Sequence, residues 1–171
     1  VPDLDSALEI VDELLSLLPS SSSSTPPNNP TTDPADRLLT SIENVVPDTQ
    51  TGSYDMREII AQVSDDQILT EVRKDWATNI ITALCTINGN TVGIVANQPQ
   101  SLAGTLDISA SQKGARFVNF CDAFNIPIIT FVDTPGFQPG KDLEWRGMIR
   151  HGAQLAFAYA NATIPHLEHK P

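Results

Sequence analysis

Several features that small proteins rely on are scarce or missing in this chain. Its 171 residues include two cysteines, three histidines and ten basic side chains, and aromatics make up 6%. Two cysteines build no disulfide framework. Cys85 lies in an apolar, strand-like run and Cys121 in a helix-like one, so both read as small buried hydrophobes in a reducing compartment. No apolar run approaches the roughly 18 residues of a membrane span, and no basic-then-apolar leader opens the chain. The sequence therefore reads as soluble, cytoplasmic and without a membrane partner. The ten bases never cluster, which argues against nucleic acid or an anionic bilayer as partner, because phosphate binding needs grouped Lys and Arg. No nucleophile elbow, Cys–His pair or zinc-ligand spacing occurs, and we expect no metal.

What the chain does have is length for about one domain, with a core that needs no staples. Its formal charge of −11 is unevenly placed. Residues 1–75 carry 15 acids against 4 bases, whereas residues 76–171 carry 6 of each. Acidity of this kind keeps a surface solvated.

Leu4, Ala7, Leu8, Val11, Leu14, Leu15 and Leu18 recur at helical spacing with acids mostly on the other face, predicting an amphipathic helix that starts at an Asp3 cap or at a Ser6/Glu9 capping box and is ended by Pro19. Its apolar stripe has no partner nearby in sequence and must dock on something more distant. Residues 19–34 are Pro, Ser, Thr, Asn and Asp, too polar to offset chain entropy, and residues 19–36 read as a disordered linker. Short helices and turns follow, with Asp55 or Ser53 placed to cap a helix through Ile59, Ile60 and Val63. Asp65 and Asp66 read as a solvated turn.

From Asn79 onward β-branched runs dominate. Ile80–Ile87 and Val92–Ala96, joined by Asn88-Gly89-Asn90, predict a hairpin. Ser109–Phe124 reads as a helix with Ala110, Phe117, Val118, Cys121 and Phe124 inward. Ile126–Val132 reads as a strand covered on both faces. Asp142–Ala160 reads as one long helix with Trp145, Met148, Ile149, Ala153, Ala156 and Ala160 on one side. Strand, helix, strand, loop and helix in this order imply a βαβ unit and an α/β layered fold, whose ligands sit at the carboxyl ends of the parallel strands.

That rule points to the loop after the Ile126–Val132 strand, Asp133-Thr134-Pro135-Gly136-Phe137-Gln138-Pro139-Gly140. Two glycines and two prolines fix an unusual path that can aim backbone N–H groups at a developing anion; the competing reading is an ordinary strand-to-helix turn. Asp133-Thr134-Pro135-Gly136 also matches the Asp-x-x-Gly switch of GTPases. That reading requires a phosphate loop, and the nearest approach, Gly136 to Lys141, is one residue short and follows the switch instead of preceding it. His151 is a lone histidine without a neighbouring carboxylate, and His166 and His169 lie in a polar tail with no completing ligand. Trp76 and Trp145 read as core or interface anchors.

Four ordered stretches carry more. They are Gly93-Ile94-Val95-Ala96-Asn97-Gln98-Pro99, Leu102-Ala103-Gly104-Thr105-Leu106-Asp107, the run from Lys113 to Pro127, and Phe131-Val132-Asp133-Thr134-Pro135-Gly136-Phe137-Gln138-Pro139-Gly140. With Tyr54-Asp55-Met56-Arg57 and Ile149-Arg150-His151-Gly152-Ala153, the chain resembles the carboxyltransferase β subunits of biotin-dependent acyl-CoA carboxylases, of the propionyl-CoA and acetyl-CoA type. The resemblance implies a crotonase-like α/β fold. It implies that carboxyl passes from carboxybiotin, carried on a partner subunit or domain, to the α-carbon of an acyl-CoA, with backbone amides as stabilising groups. The implied partners are the acyl-CoA substrate, the biotin carboxylase and biotin carrier subunit, and further copies of the protein in a homo-oligomer.

On this resemblance, residues 1–18 are the terminal helix of a preceding carboxyltransferase domain, residues 19–36 the connection, and residues 37–171 part of the C-terminal domain. Val1 in place of Met then suggests a processed product or a fragment. The apolar, glycine-rich strand expected after Pro165 is missing, since the chain reads His166-Leu167-Glu168-His169-Lys170-Pro171. The resemblance assigns no catalytic side chain here. It offers Gly104, Pro135, Gly136 and Phe137 as biotin-pocket candidates and Asp133 as an orienter of its own loop. The alternative is a non-catalytic assembly or binding remnant, and a nucleotide-binding protein stands below that.

Overall fold

In the computed structural model, residues 3–34, 36–49 and 52–169 are described. The centre is a five-stranded sheet in the order β1 (Thr70–Glu71), β2 (Ile80–Ile87), β3 (Asn90–Asn97), β4 (Ile128–Phe131), β5 (His166–His169). β1, β2 and β3 pair antiparallel; β4 and β5 join parallel. The α/β expectation holds, and β3 and β4 are the parallel pair of the expected βαβ unit.

The β2–β3 hairpin turns through Asn88 and Gly89, at φ 50° and 76°. Two positive φ values are the geometry a two-residue turn needs to match strand twist. The two turn amides have no ladder partner, and the Asp65 carboxylate accepts both, from Asn88 N and Gly89 N at 2.8 Å each. Asp65 is thus buried, not part of a solvated turn.

Alternation along β2 divides the core in two. Ile80 and Leu84 face one side, where α3 (Ile108–Ala123) packs through Ala110, Phe117, Val118 and Cys121. Ile81, Ala83 and Cys85 face the other, beneath Tyr54 and the Met56, Ile59 and Ile60 of α2 (Met56–Val63). Asp107 caps α3 by accepting from Ala110 N at 2.8 Å, and Asp55 caps α2 through Arg57 N at 3.0 Å. Both cysteines are buried and unpaired, as expected.

Three expectations require correction. The single helix over Asp142–Ala160 is two, α4 (Lys141–Trp145) and α5 (Met148–Asn161), separated where Gly147 takes φ 88°. Its inward face is Met148, Gly152, Leu155 and Ala158, while Trp145 and Ile149 are 81% and 84% exposed. The buried face of α5 is selected by its packing on α3, where Leu155 seats over Gly114, and not by the stripe of Ile149, Ala153, Ala156 and Ala160. Finally, residues 166–169 do form a strand: β5 joins β4 through the backbone ladder, with Phe131 and His169 edge to face across it, so its mostly polar, exposed side chains are no obstacle.

The helix α1 (Leu4–Leu17) starts at its Asp3 cap, which accepts from Ser6 N at 2.8 Å. Leu14, Leu17 and Leu18 pack on the α3 side of the core, and Leu4, Leu8, Val11 and Leu15 remain exposed. Beyond α1 the polar segment runs without helix or regular strand. It touches the body through Asn125 Nδ2, which donates to Ser22 O and Ser24 O at 2.7 and 2.9 Å, and through Asn29 N to Gly89 O at 2.7 Å.

Candidate functional site

β3 and β4 end side by side, with Ala96 opposite Phe131, so the segments leaving them are neighbours by construction. After β3 the chain makes a tight turn at Leu102–Gly104, and after β4 it enters the Asp133–Gly140 loop. One side chain joins them. Asn97 Nδ2 donates to Gly104 O at 3.0 Å, and Asn97 Oδ1 accepts Asp133 N at 3.3 Å. Beyond it, Leu106 N donates to Gly136 O and Gln138 N to Leu106 O, both at 3.0 Å.

The junction is close enough to select its residues. Gly104 is buried at φ +69°, and a Cβ there would stand 2.5 Å from Asp133 O. Any other side chain would meet both a left-handed backbone and a collision with the neighbouring loop. On the far side, Tyr54 O–H donates to Asp133 Oδ2 at 2.7 Å. Burial, and secondarily that carboxylate, push the Tyr54 phenol well above its ordinary value. Tyr54 is itself anchored by its own segment: Gln98, next to Asn97, donates to Asp55 and accepts Met56 N at 3.3 Å, and Arg57 grips Glu71 through two bonds at 2.7 and 3.0 Å.

Four of the five singled-out residues are therefore gathered at this junction: Gly104, Asp133, Gly136 and Phe137. Pro135 sits between them on the exposed crest of the loop. Phe137 is 54% exposed, and its ring lies against Gly152 of α5. A cavity of about 220 Å³ opens alongside, lined by Asn97, Leu106, Thr134, Phe137, Gly152 and Tyr159 among others. The loop amides do not all point outward. Gly136 N is taken by Thr134 Oγ1 at 3.1 Å and Gln138 N by Leu106 O, so these two hold the loop's path.

The remaining candidates lie elsewhere. His151 Nδ1 is 3.2 Å from Gln112 Nε2, between α5 and α3, and His166 and His169 line up on the edge strand β5. Among the described residues no group of three His, Cys, Asp or Glu side chains is placed to hold a metal, and no helix is long and apolar enough to cross a membrane. Reading the sequence missed Tyr54 and Asn97 as the side chains that hold the junction. Both stood inside the motifs that carried the resemblance, but their partners are 79 and 36 residues away along the chain.

Residues 2–171 match the carboxyl transferase domain. The chain belongs to that family. The propionyl-CoA carboxylase beta chain of Cereibacter sphaeroides is 49% identical over 159 residues, covering 93% of this chain and 31% of the relative. The mitochondrial propionyl-CoA carboxylase beta chain of Sus scrofa is 50% identical over 163 residues, covering 95% of this chain and 30% of the relative. Among solved structures, transcarboxylase 12S, a hexamer seen with methylmalonyl-CoA and methylmalonic acid bound, superposes with a TM-score of 0.93 at 42% identity. That match covers 97% of this chain and 32% of the other. The crotonase-like α/β fold implied by the motifs is thus the fold of solved carboxyltransferases. The chain spans about a third of the length of the relatives it matches.

Proposed function

We propose that this carboxyl transferase family chain forms the biotin-side wall of a carboxyltransferase that carries carboxyl from carboxybiotin to the α-carbon of an acyl-CoA. The observation that carries this reading is the junction itself, where Asn97 ties the Gly104 turn to the Asp133 loop at the carboxyl ends of two parallel strands. Carried biotin supplies the carboxyl group, and the chain's residues supply shape. Gly104 lets the two loops close on each other, and Asp133, held by Tyr54, orients its loop. Pro135, Gly136 and Phe137 form the surface on which the ureido ring rests. The Asp133 carboxylate is engaged by Tyr54, and the rest of the junction is backbone and amide, which suits a reaction whose stabilising groups are backbone amides.

On this reading α1 closes a preceding carboxyltransferase domain, and residues 37–171 belong to the next. The chain works with a biotin carboxylase and biotin carrier and with further copies of itself. Two buried thiols fit a reducing compartment such as the cytoplasm.

The test exchanges residues 37–165 into the matching stretch of the Cereibacter sphaeroides beta chain and measures carboxylation of propionyl-CoA with the partner subunits present. The exchanged subunit is expected to transfer carboxyl. Gly104→Ala in it is expected to lose at least about tenfold in rate, since a misplaced site costs on the order of 10²-fold per ångström. Tyr54→Phe is expected to lower kcat more than it raises KM. An assembled subunit that transfers carboxyl at an unchanged rate with Gly104→Ala would remove the junction from the site. GTP with Mg²⁺ is expected to leave the melting temperature of the 171-residue chain unchanged, whereas a true switch element would gain about 2.7 kcal/mol at 100 times its Kd.

A further inference from the structure

Away from that junction, on the other side of α3, lies a second cavity of about 260 Å³. Its walls are apolar: Leu14 of α1 and Leu18 just after it, Leu84 of β2, and Phe117 and Phe120 of α3. Its charged lining is of one sign only, Lys113, Arg73 and Arg116. This is unexpected in a chain with 21 acids and 10 bases. Among the described residues, Arg37, Arg57 and Arg146 find carboxylate partners, whereas none of these three does.

The three cations are arranged from inside to outside. Lys113 is 1% exposed, and its ammonium donates to Ile80 O at 2.7 Å and Ala77 O at 3.4 Å, which occupies two of its three N–H groups. Arg116 is exposed on the next turn of α3, and Arg73 is exposed with its guanidinium over the Trp76 ring at 5.6 Å. No carboxylate pairs with this ammonium directly: its hydrogen bonds go to carbonyls, and Glu71, itself held by Arg57, acts on it only by longer-range attraction. Burial accordingly pushes the Lys113 amine down to about 8.

We propose that this cavity binds a single-chain aliphatic carboxylate of medium length, its tail against the leucines and phenylalanines and its carboxylate among Lys113, Arg73 and Arg116. Size sets the length. An engineered apolar cavity of about 150 Å³ admits six-carbon benzene, so 260 Å³ scales to a tail of about ten carbons. Charge sets the head group. An anion gains charge-assisted hydrogen bonds from donors that have no carboxylate of their own, and neither a neutral nor a cationic head could do so. The cavity is walled by α1, β2 and α3 and shares none of Asn97, Gly104, Gly136 or Phe137, so its occupant leaves the junction of the parallel strands free.

Isothermal titration of the 171-residue chain with decanoate, decanol and decyltrimethylammonium tests this. Decanoate is expected to bind with one-to-one stoichiometry, and the other two at least about tenfold more weakly, the loss of one charge-assisted contact. Arg116→Ala and Arg73→Ala alter exposed side chains, so a thermal melt will show that the fold is kept. Each is expected to weaken decanoate several-fold and leave decanol unchanged. Phe137→Ala, at the junction, is expected to leave decanoate binding unchanged. The proposal is overturned if the three amphiphiles bind alike, if decanoate fails to bind, if both arginine variants bind it like the parent, or if Phe137→Ala is the substitution that abolishes binding.

Discussion

Lys113 shows what a single position contributes and how it is missed. Ala110, Phe117 and Cys121 define the inward face of α3, and Lys113 falls on that face between them, yet a polarity count assigns every lysine to water. The long stem makes burial possible, and the carbonyls of Ala77 and Ile80 satisfy the head. The consequence is a pH dependence of definite sign. The amine titrates near 10.5 in the unfolded chain and near 8 in the folded one, so between these values the unfolded chain holds more protons. Stability contributed by this residue therefore rises with pH across that window and is flat below it. Denaturant melts of the parent and of Lys113→Met, compared at pH about 8 and about 10.5, should show the parent gaining on the variant as pH increases. A difference that stays constant across the window would mean the amine is not desolvated. The comparison is needed because the buried tyrosines and cysteines titrate at high pH in the opposite sense, and both proteins share them.

At the level of elements, the β2–β3 hairpin depends on a carboxylate outside it. Asn88 and Gly89 provide the turn geometry, but their amides point at Asp65 and are paired there and nowhere else in the sheet. Asp65→Ala leaves two turn N–H groups without their acceptor and is expected to cost about 2–3 kcal/mol, read as a lower denaturant midpoint with an unchanged m-value. Asp75→Ala, at an exposed position with ordinary backbone and no side-chain hydrogen bond among the described residues, is expected to cost under about 0.5 kcal/mol. A similar loss in both variants would mean that charge in general, and not the two hydrogen bonds, supports the turn.

These elements also mark the limit of what local pattern can reveal. The hairpin, α3, β4 and the caps offered by Asp3 and Asp55 were legible because each follows from residues within a few positions of one another, whereas the Asp107 cap of α3 was not singled out. The interruption at Gly147 was not, because a glycine inside a helical pattern is compatible with either outcome until packing selects one. β5 was hidden for the reverse reason: its strand character comes from the free edge of β4, and the His166–His169 sequence records nothing of that edge. At the junction, motif resemblance located Gly104, Asp133, Gly136 and Phe137 in advance. The ties made by Tyr54 and Asn97 span too much sequence to be read as spacing.

At the scale of the whole molecule, two opposed properties decide its behaviour in solution. Leu4, Leu8, Val11 and Leu15 on α1, and Trp145, Ile149 and Phe157 on α4 and α5, leave apolar side chains exposed in groups, and grouped exposure of this kind marks an interaction surface. Against it stands a formal charge of −11, all of the net excess lying before residue 76, which drives copies of the chain apart. Repulsion between exposed charges is screened over about 10 Å at 0.1 M salt and about 3 Å at 1 M, whereas apolar contact is not weakened by salt. Self-association should therefore increase with ionic strength. Sedimentation velocity at low and high salt is expected to show larger species at high salt, with apolar dye binding falling as they form. Leu8→Glu and Ile149→Glu, each on an exposed position, separate the two surfaces: the one that restores the small species at high salt identifies the face through which copies meet. If association instead weakens with salt, the contact is ionic and neither apolar face forms it; if the chain stays a dye-silent monomer at both salts, these side chains are too dispersed to act as a surface.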